Sequence, residues 1–195
     1  MTDEDATPDL AARRGVETAV YQPAEDSRLL AEAAVDHARG LTLEVGTGSG
    51  WVAERVADET DCTVLASDVN PHACRTARDR GLDVVRADLV SPFRTGSLDT
   101  VLFNPPYLPT DPDNDWGDWM ERALSGGESG RAVVDPFLDS VGRVLRPGGR
   151  VLLLVSTLTG FEEVVAHAES TGFAVSTVVE ESYPFETLSV LRLDS

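Results

Sequence analysis

The run Gly46-Thr47-Gly48-Ser49-Gly50 stands directly after a short apolar segment, Leu41–Val45, and directly before a segment of helical periodicity. A strand that turns sharply into a helix through glycines belongs to a parallel sheet covered by helices. The same turn brings the free N–H groups of a helix start beside a backbone that lacks side chains, so a ligand can approach closely. By itself the pattern fits a dinucleotide-binding turn equally well, or a turn that holds no ligand.

Three further observations narrow it. The motif begins with an acid, Glu44, at the end of the strand, and it reads Gly-x-Gly-x-Gly rather than Gly-x-Gly-x-x-Gly. Asp68 ends the next apolar run, at the distance where an acid accepts hydrogen bonds from ribose hydroxyls. Asp88 closes the run after that, placed to meet the exocyclic amine of an adenine. Three acids at the carboxyl ends of three successive strands line one crevice. A pyrophosphate would find Glu44 unfavourable, whereas a cationic ligand would not.

The remaining pattern is regular. A helix is expected from Asp26 or Ser27, one of them as its cap, to about Ala38, with Gly40 ending it. Strands are expected at Leu41–Val45, 63–67, 82–86, Leu98–Phe103 and 150–155, and a closing pair at 173–179 and 187–193. Helices fill the gaps: one after Gly50 with Val52, Val56 and Ala57 inward, one from Pro71 to about Arg80, one over 132–145 stopped by Pro147-Gly148-Gly149, and one over 161–169. Residues 108–130 read as irregular, and a loop of that length is functional or disordered. This alternation predicts an α/β fold: a mostly parallel seven-stranded sheet, helices on both faces, and an antiparallel C-terminal edge. Residues 1–20 are polar and 21–195 read as one domain.

Asn104-Pro105-Pro106-Tyr107 follows the fourth strand and so reaches the same crevice. Two prolines fix two φ angles and aim the Pro105 carbonyl rigidly. The Asn104 side-chain oxygen is a second acceptor. Two acceptors at fixed spacing suit a planar –NH2 with two hydrogens, and Tyr107 can stack on the planar group. An amide nitrogen is a poor nucleophile because its lone pair is delocalised. Accepting both hydrogens returns density to nitrogen, and fixed dipoles stabilise the charge that develops there.

Composition excludes several classes. No run approaches the roughly 20 apolar residues of a membrane span. The acidic start, Met1 to Asp5, has no apolar core, so a cytoplasmic location is expected. Cys62 and Cys74 lack metal-ligand or redox spacing, His37, His72 and His167 are scattered, and no metal site is expected. The net charge is −18, with 34 acids against 16 basic residues, and every basic residue is arginine. A high-salt cytoplasm accounts for such a surface, since salt screens its self-repulsion.

Together these residues resemble the class I S-adenosylmethionine-dependent methyltransferases, whose sheet is Rossmann-like. Tyr21-Gln22-Pro23-Ala24-Glu25-Asp26-Ser27 and Gly126-Gly127-x-x-Gly130-Arg131 further resemble segments of the HemK-type release-factor glutamine methyltransferases, in their small archaeal and eukaryotic branch. The resemblance runs from about Val20 to Leu193. It implies S-adenosyl-L-methionine as cofactor and S-adenosyl-L-homocysteine as product. Glu44 would lie near the methionine amino group, Gly46 and Gly48 under the cofactor, and Asp68 at the ribose. Asp88 and Leu89 would bound the adenine, and Ser27 would close over the methionine end. Asn104 would touch cofactor and substrate, with Pro105, Pro106 and Tyr107 completing the catalytic tetrapeptide.

The implied substrate is the glutamine of the Gly-Gly-Gln loop of the class I translation termination factor. The implied partner is a small zinc-binding activator protein, forming a heterodimer. The alternatives are a nucleic-acid adenine-N6 or guanine-N2 methyltransferase, a protein lysine methyltransferase, and a non-catalytic scaffold. The first needs an electropositive track, and no arginine-rich run beyond pairs such as Arg13-Arg14 provides one, so direct nucleic-acid binding is not expected.

Overall fold

Leu43 and Val45 in β1 (Leu41–Val45), Val101 and Phe103 in β4 (Leu98–Phe103), and Val151, Leu153 and Val155 in β5 (Leu145–Ser156) share one apolar cluster. Leu102, Leu152 and Leu154, one residue out of step, share another. Strand side chains alternate between faces, so these strands are buried on both sides, as a parallel sheet under two helical layers requires. The computed structural model describes residues 19–110 and 119–195. Residues 1–18 of the expected polar segment, and 111–118 of the expected irregular stretch, lie outside the described residues.

The other strands are β2 (Thr63–Asp68), β3 (Asp83–Arg86), β6 (Ala174–Ser182) and β7 (Thr187–Asp194), and the sheet order is β3-β2-β1-β4-β5-β7-β6. The pairings from β3 to β5 are parallel, and β7 runs antiparallel to both β5 and β6, as the sequence predicts.

One face carries α1 (Glu25–His37) and α2 (Trp51–Glu59), through Leu29, Leu30, Ala34, Val52, Ala53 and Val56. The other carries α5 (Val134–Val141) and α6 (Phe161–Ser170), where Phe137 meets Phe103 at a ring-centroid distance of 4.5 Å. Between them in the chain come α3 (Pro71–Asp79) and the short α4 (Trp119–Leu124). No helix among the described residues is long and apolar enough to cross a membrane.

Four sequence expectations need correction. The cap position of α1 is Ala24, without a side-chain bond, so Asp26 and Ser27 lie inside the first turn, both buried. Ala57 is exposed, and Ala53 takes the inward place beside Val52 and Val56. The helix expected over 132–145 ends at Val141, passes through one 3-10 turn, and yields to β5 at Leu145. Pro147-Gly148-Gly149 therefore does not stop a helix. It lies where the β4–β5 pairing jumps from Leu98–Leu145 to Thr100–Arg150. Finally, the stretch 108–130 contains α4, a helix of six residues too short to show an apolar period.

Candidate active site

The strand order changes direction between β1 and β4, whose carboxyl ends lie level because Val45 pairs with Phe103. In an open α/β sheet, ligands bind in the crevice beyond such a switch point. A cavity of about 470 Å3 opens there, a size suited to a small-molecule ligand. It brings together Ser27, Glu44, Gly46, Gly48, Asp68, Asp88 and Leu89 with Asn104 and Pro106.

Glu44 sits at the end of β1, 4% exposed. Its Oε2 accepts the Thr47 hydroxyl at 2.5 Å and the Ala53 N–H at 3.1 Å. Burial pushes its carboxyl up to about 8, against the downward pull of those two bonds. Asp68 ends β2 and clips the glycine turn to it. Its Oδ2 accepts the Gly48 N–H at 2.9 Å and its Oδ1 the Asn70 N–H at 2.8 Å. Burial raises its carboxyl above the ordinary range too, and the backbone bonds oppose the rise. Leu89 has φ 48°, the one non-glycine residue with positive φ among the described residues. A leucine held there costs on the order of 1 kcal/mol, and such outliers cluster at ligand sites.

The entry segment crosses the glycine turn. Asn70 caps α3 through His72 N–H and donates its Nδ2 to Ala19 O at 2.6 Å. A Cβ built on Gly48 (φ 54°) would stand 3.5 Å from Tyr21 O, so the turn and this segment are in contact. Tyr21 donates its hydroxyl to Asp26 Oδ2 at 2.9 Å, and Asp26 Oδ1 accepts the Ser27 N–H at 2.6 Å and its hydroxyl at 3.2 Å. Burial, then the Asp26 charge, pushes the Tyr21 hydroxyl up. Sequence reasoning names Tyr21 only as part of a motif, and Asp26 as that and as a candidate helix cap. The structure makes them a half-buried brace, which the apolar pattern of α1 does not reveal.

The tetrapeptide faces two ways. Asn104 and Pro106 line the cavity, while Pro105, Pro106 and Tyr107 line a small adjoining pocket with Tyr21, Asp26, Ala123 and Leu124. Burial raises the Tyr107 hydroxyl, with Asp26, Glu186 and Glu25 adding to it. Asn104 Oδ1 is buried and has no hydrogen-bond partner among the described residues. Such an acceptor costs about 1–3 kcal/mol unless a ligand satisfies it.

The segment after the tetrapeptide folds back on it. Leu108 N–H bonds to Leu124 O, Gly126 N–H to Leu108 O, and Thr110 N–H to Gly127 O, all within 3.0 Å. Gly130 (φ 73°) must be glycine, because a Cβ would fall 2.8 Å from Tyr107 O. Arg131 then ties the turn to Thr159 O at 2.7 Å. Thr110, Trp119, Glu121, Arg122 and Ser125 thereby reach the cavity wall. The length and odd composition of 108–130 were the only sequence signal for them.

Among the described residues, none of the ion pairs involves Asp26, Glu44 or Asp68. Glu44, Asp68 and Asp88 bring carboxyl groups into the cavity, and the two raised by burial, Glu44 and Asp68, ionise more readily beside a cation, which fits a ligand carrying an ammonium and a sulfonium. The unpartnered Asn104 acceptor lies where a donor on a second substrate would complete it. This is a two-substrate site of the class I methyltransferase type.

Known proteins agree. A family described as methyltransferase domain matches residues 43–105. A protein assigned as an N5-glutamine methyltransferase in Methanocaldococcus jannaschii is 35% identical, covering 89% of this chain and 90% of its own length. The human methyltransferase HEMK2 is also 35% identical, over 92% of this chain and 91% of its own. The Mtq2 subunit in the Encephalitozoon cuniculi Mtq2–Trm112 complex, described as responsible for methylating the eRF1 termination factor, superposes with a TM-score of 0.76. That match has 30% identity over 91% of this chain and 99% of that one. The chain belongs to the HemK-type family of S-adenosylmethionine-dependent methyltransferases.

Proposed function

We propose that the chain methylates the side-chain amide nitrogen of the glutamine in the Gly-Gly-Gln loop of the class I translation termination factor, as the catalytic half of a heterodimer with a small zinc-binding protein. The observation that carries this reading is the buried, unpartnered Oδ1 of Asn104 on a proline-stiffened turn, an acceptor awaiting one N–H of a planar –NH2. Kinship with the Mtq2–Trm112 complex supports the substrate and the partner.

The geometry supports the following roles. Glu44, ionised on meeting a cation, holds the amino group of the cofactor's methionine end, and Ser27 covers that end. Gly46 and Gly48 let the cofactor lie against backbone. Asp68, already bonded once at each oxygen, has lone pairs left for ribose hydroxyls. Asp88 and Leu89 bound the adenine. S-adenosylmethionine supplies an electrophilic methyl group on a sulfonium. Asn104 Oδ1 and the Pro105 carbonyl accept the two amide hydrogens and so hold the nitrogen's lone pair toward the cavity. Tyr107, in the adjoining pocket, stacks on the amide plane. Fixed acceptors stabilise the positive charge that grows on nitrogen. The tight packing of the segment behind the tetrapeptide keeps water from competing for those acceptors.

The test is methyl transfer from labelled S-adenosylmethionine in high salt, with the partner protein present. The intact termination factor is compared with a copy whose Gly-Gly-Gln glutamine is alanine. Label on the first alone is expected. Label on both, or only on nucleic acid, would move the acceptor to lysine or to a nucleobase.

A further inference from the structure

Three large apolar side chains are exposed among the described residues: Val85, Leu158 and Phe185. Isolated exposures of this kind are ordinary on a protein surface. The placement of the last two is not scattered. β5 runs parallel to β4 and continues three residues past the level of Phe103, to Ser156, where Leu188 of β7 pairs with it. The turn between β6 and β7 therefore lies at the same edge of the sheet as Asn104-Pro105-Pro106-Tyr107. Leu158 follows β5 directly, and the space beside Gly130 touches both Tyr107 O and Leu158 O. Val85 lies on β3, at the opposite end of the sheet.

Phe185 is 93% exposed on a turn that is firmly held. Tyr183 N–H bonds to Glu186 O at 2.7 Å across the turn, Ser156 donates its hydroxyl to Glu186 Oε2 at 2.5 Å, and Thr187 N–H bonds to Thr157 Oγ1 at 3.1 Å. Arg28 of α1 donates to the Tyr183 hydroxyl and pairs with Glu181. An aromatic ring presented on a rigid turn is preorganised for contact and loses little freedom on binding. Carboxylates stand on this side of the acceptor pocket: Glu186, the chain neighbour of Phe185, acts with Glu25 and Asp26 on the Tyr107 hydroxyl, while the cation that reaches the turn, Arg28, is paired with Glu32 and Glu181.

We propose that Leu158 and Phe185, beside the carboxylates of Glu25 and Glu186, form the docking rim for the protein that carries the acceptor amide, and that this protein offers there an apolar side chain flanked by basic ones. The inference rests on the protein-glutamine reading above. The tetrapeptide recognises only the amide, which every glutamine has. A rim that grips the surface around one glutamine adds the selectivity the amide pocket lacks, by raising affinity for one macromolecule without touching the reacting atoms.

The test measures steady-state methylation of the intact termination factor, with the partner protein bound, by wild type, Phe185→Ala, Phe185→Trp and the pair Phe185→Ala with Leu158→Ala. Phe185→Ala should raise KM for the factor roughly tenfold, as loss of an aromatic anchor does. Its kcat and its affinity for S-adenosylmethionine should not change. The pair should raise KM further, and Phe185→Trp should restore it. Unchanged KM in the pair overturns the rim alone. Loss of the co-purified partner from the pair would also overturn it, by giving the rim to that partner. A wild-type enzyme that leaves the factor unlabelled overturns the glutamine reading and the rim with it.

Discussion

On the β1–β2 side of the cavity, the functional carboxylates take most of their bonds from groups close in sequence, Glu44 from Thr47 and Ala53 and Asp68 from Asn70, and the glycine turn adds one bond from farther off, Gly48 to Asp68. On the β4 side the wall is assembled over long distances. Tyr107 meets Gly130, Leu108 bridges to Ser125, and Arg131 reaches Thr159. The two sides also differ in what they leave undone. The β1–β2 side is rich in carboxyl groups bonded within the chain, while the β4 side leaves Asn104 Oδ1 without a partner among the described residues. A site that binds its cofactor by charge and its substrate by unmet hydrogen bonds can hold the first tightly and still release a methylated product that has lost one N–H.

The largest effect should come from the acceptor side. Asn104→Ala is expected to lower kcat by about 100- to 1,000-fold, the usual loss for one preorganised dipole, with the circular-dichroism spectrum and melting point preserved. Near-normal single-turnover rates would break the contrast, because the orphan acceptor would then be idle. Glu44→Gln probes the opposite wall and should weaken S-adenosylmethionine roughly tenfold, as loss of a charged hydrogen bond does. Wild-type affinity should improve as pH rises toward about 8, where Glu44 ionises, and the variant's should be flat in titration calorimetry.

The same shift has a stability consequence. The folded value lies above the ordinary carboxyl value of 4.5, so the Glu44 contribution is fully present below about pH 4.5 and is lost as pH rises through about 8. The cofactor-free Glu44→Gln protein should therefore melt higher than wild type above pH 8, and the difference should vanish toward acid. Equal melting points at pH 9 would show that Glu44 is relieved in some other way.

Tyr21→Phe sharpens the boundary between the walls, because Tyr21 lines both pockets. It strips one bond from the buried Asp26 and should cost about 1–2 kcal/mol in chemical unfolding, with a few-fold rise in KM for the cofactor. No change in either would remove the brace from the site.

The smallest effect lies outside both walls. His167 on α6 meets Asp135 at 3.2 Å and Asp139 at 2.8 Å on α5, and those carboxylates, Asp139 foremost, raise its pKa. Its stabilisation is present below the ordinary histidine value of 6.5 and is lost as pH rises through the raised one. His167→Ala should lower stability at pH 6 by about 0.5 kcal/mol, as for a partly exposed pair, less at pH 8, and leave turnover alone. An activity loss would tie α5 and α6 to the site.

Much of the β1–β2 wall of the cavity was legible in the sequence because its signals are local. An acid at a strand end, a turn of glycines and an acid ending the next strand occupy fixed positions once the apolar runs are seen. The first turn of α1 is misread because Asp26 and Ser27 look like caps, and only the helix start at Glu25, with Ala24 at the cap position, shows otherwise. The helix end at Val141 was missed because α5 and β5 are both apolar, and periodicity cannot say where one yields to the other.

The sequence by itself determined the order of strands and helices along the chain, the two-faced burial of the sheet, and which residue types stand at its carboxyl edge. These follow from the period of apolar side chains and from the backbone limits of glycine and proline. Only the tertiary structure decided that Tyr21 lies against the glycine turn, that 108–110 pairs with 124–127 behind Tyr107, and that the β6–β7 turn stands beside the acceptor pocket. Those contacts join segments far apart in the chain. They are set by the placing of β4 beside β1 and β7 beside β5, and no local pattern encodes that choice.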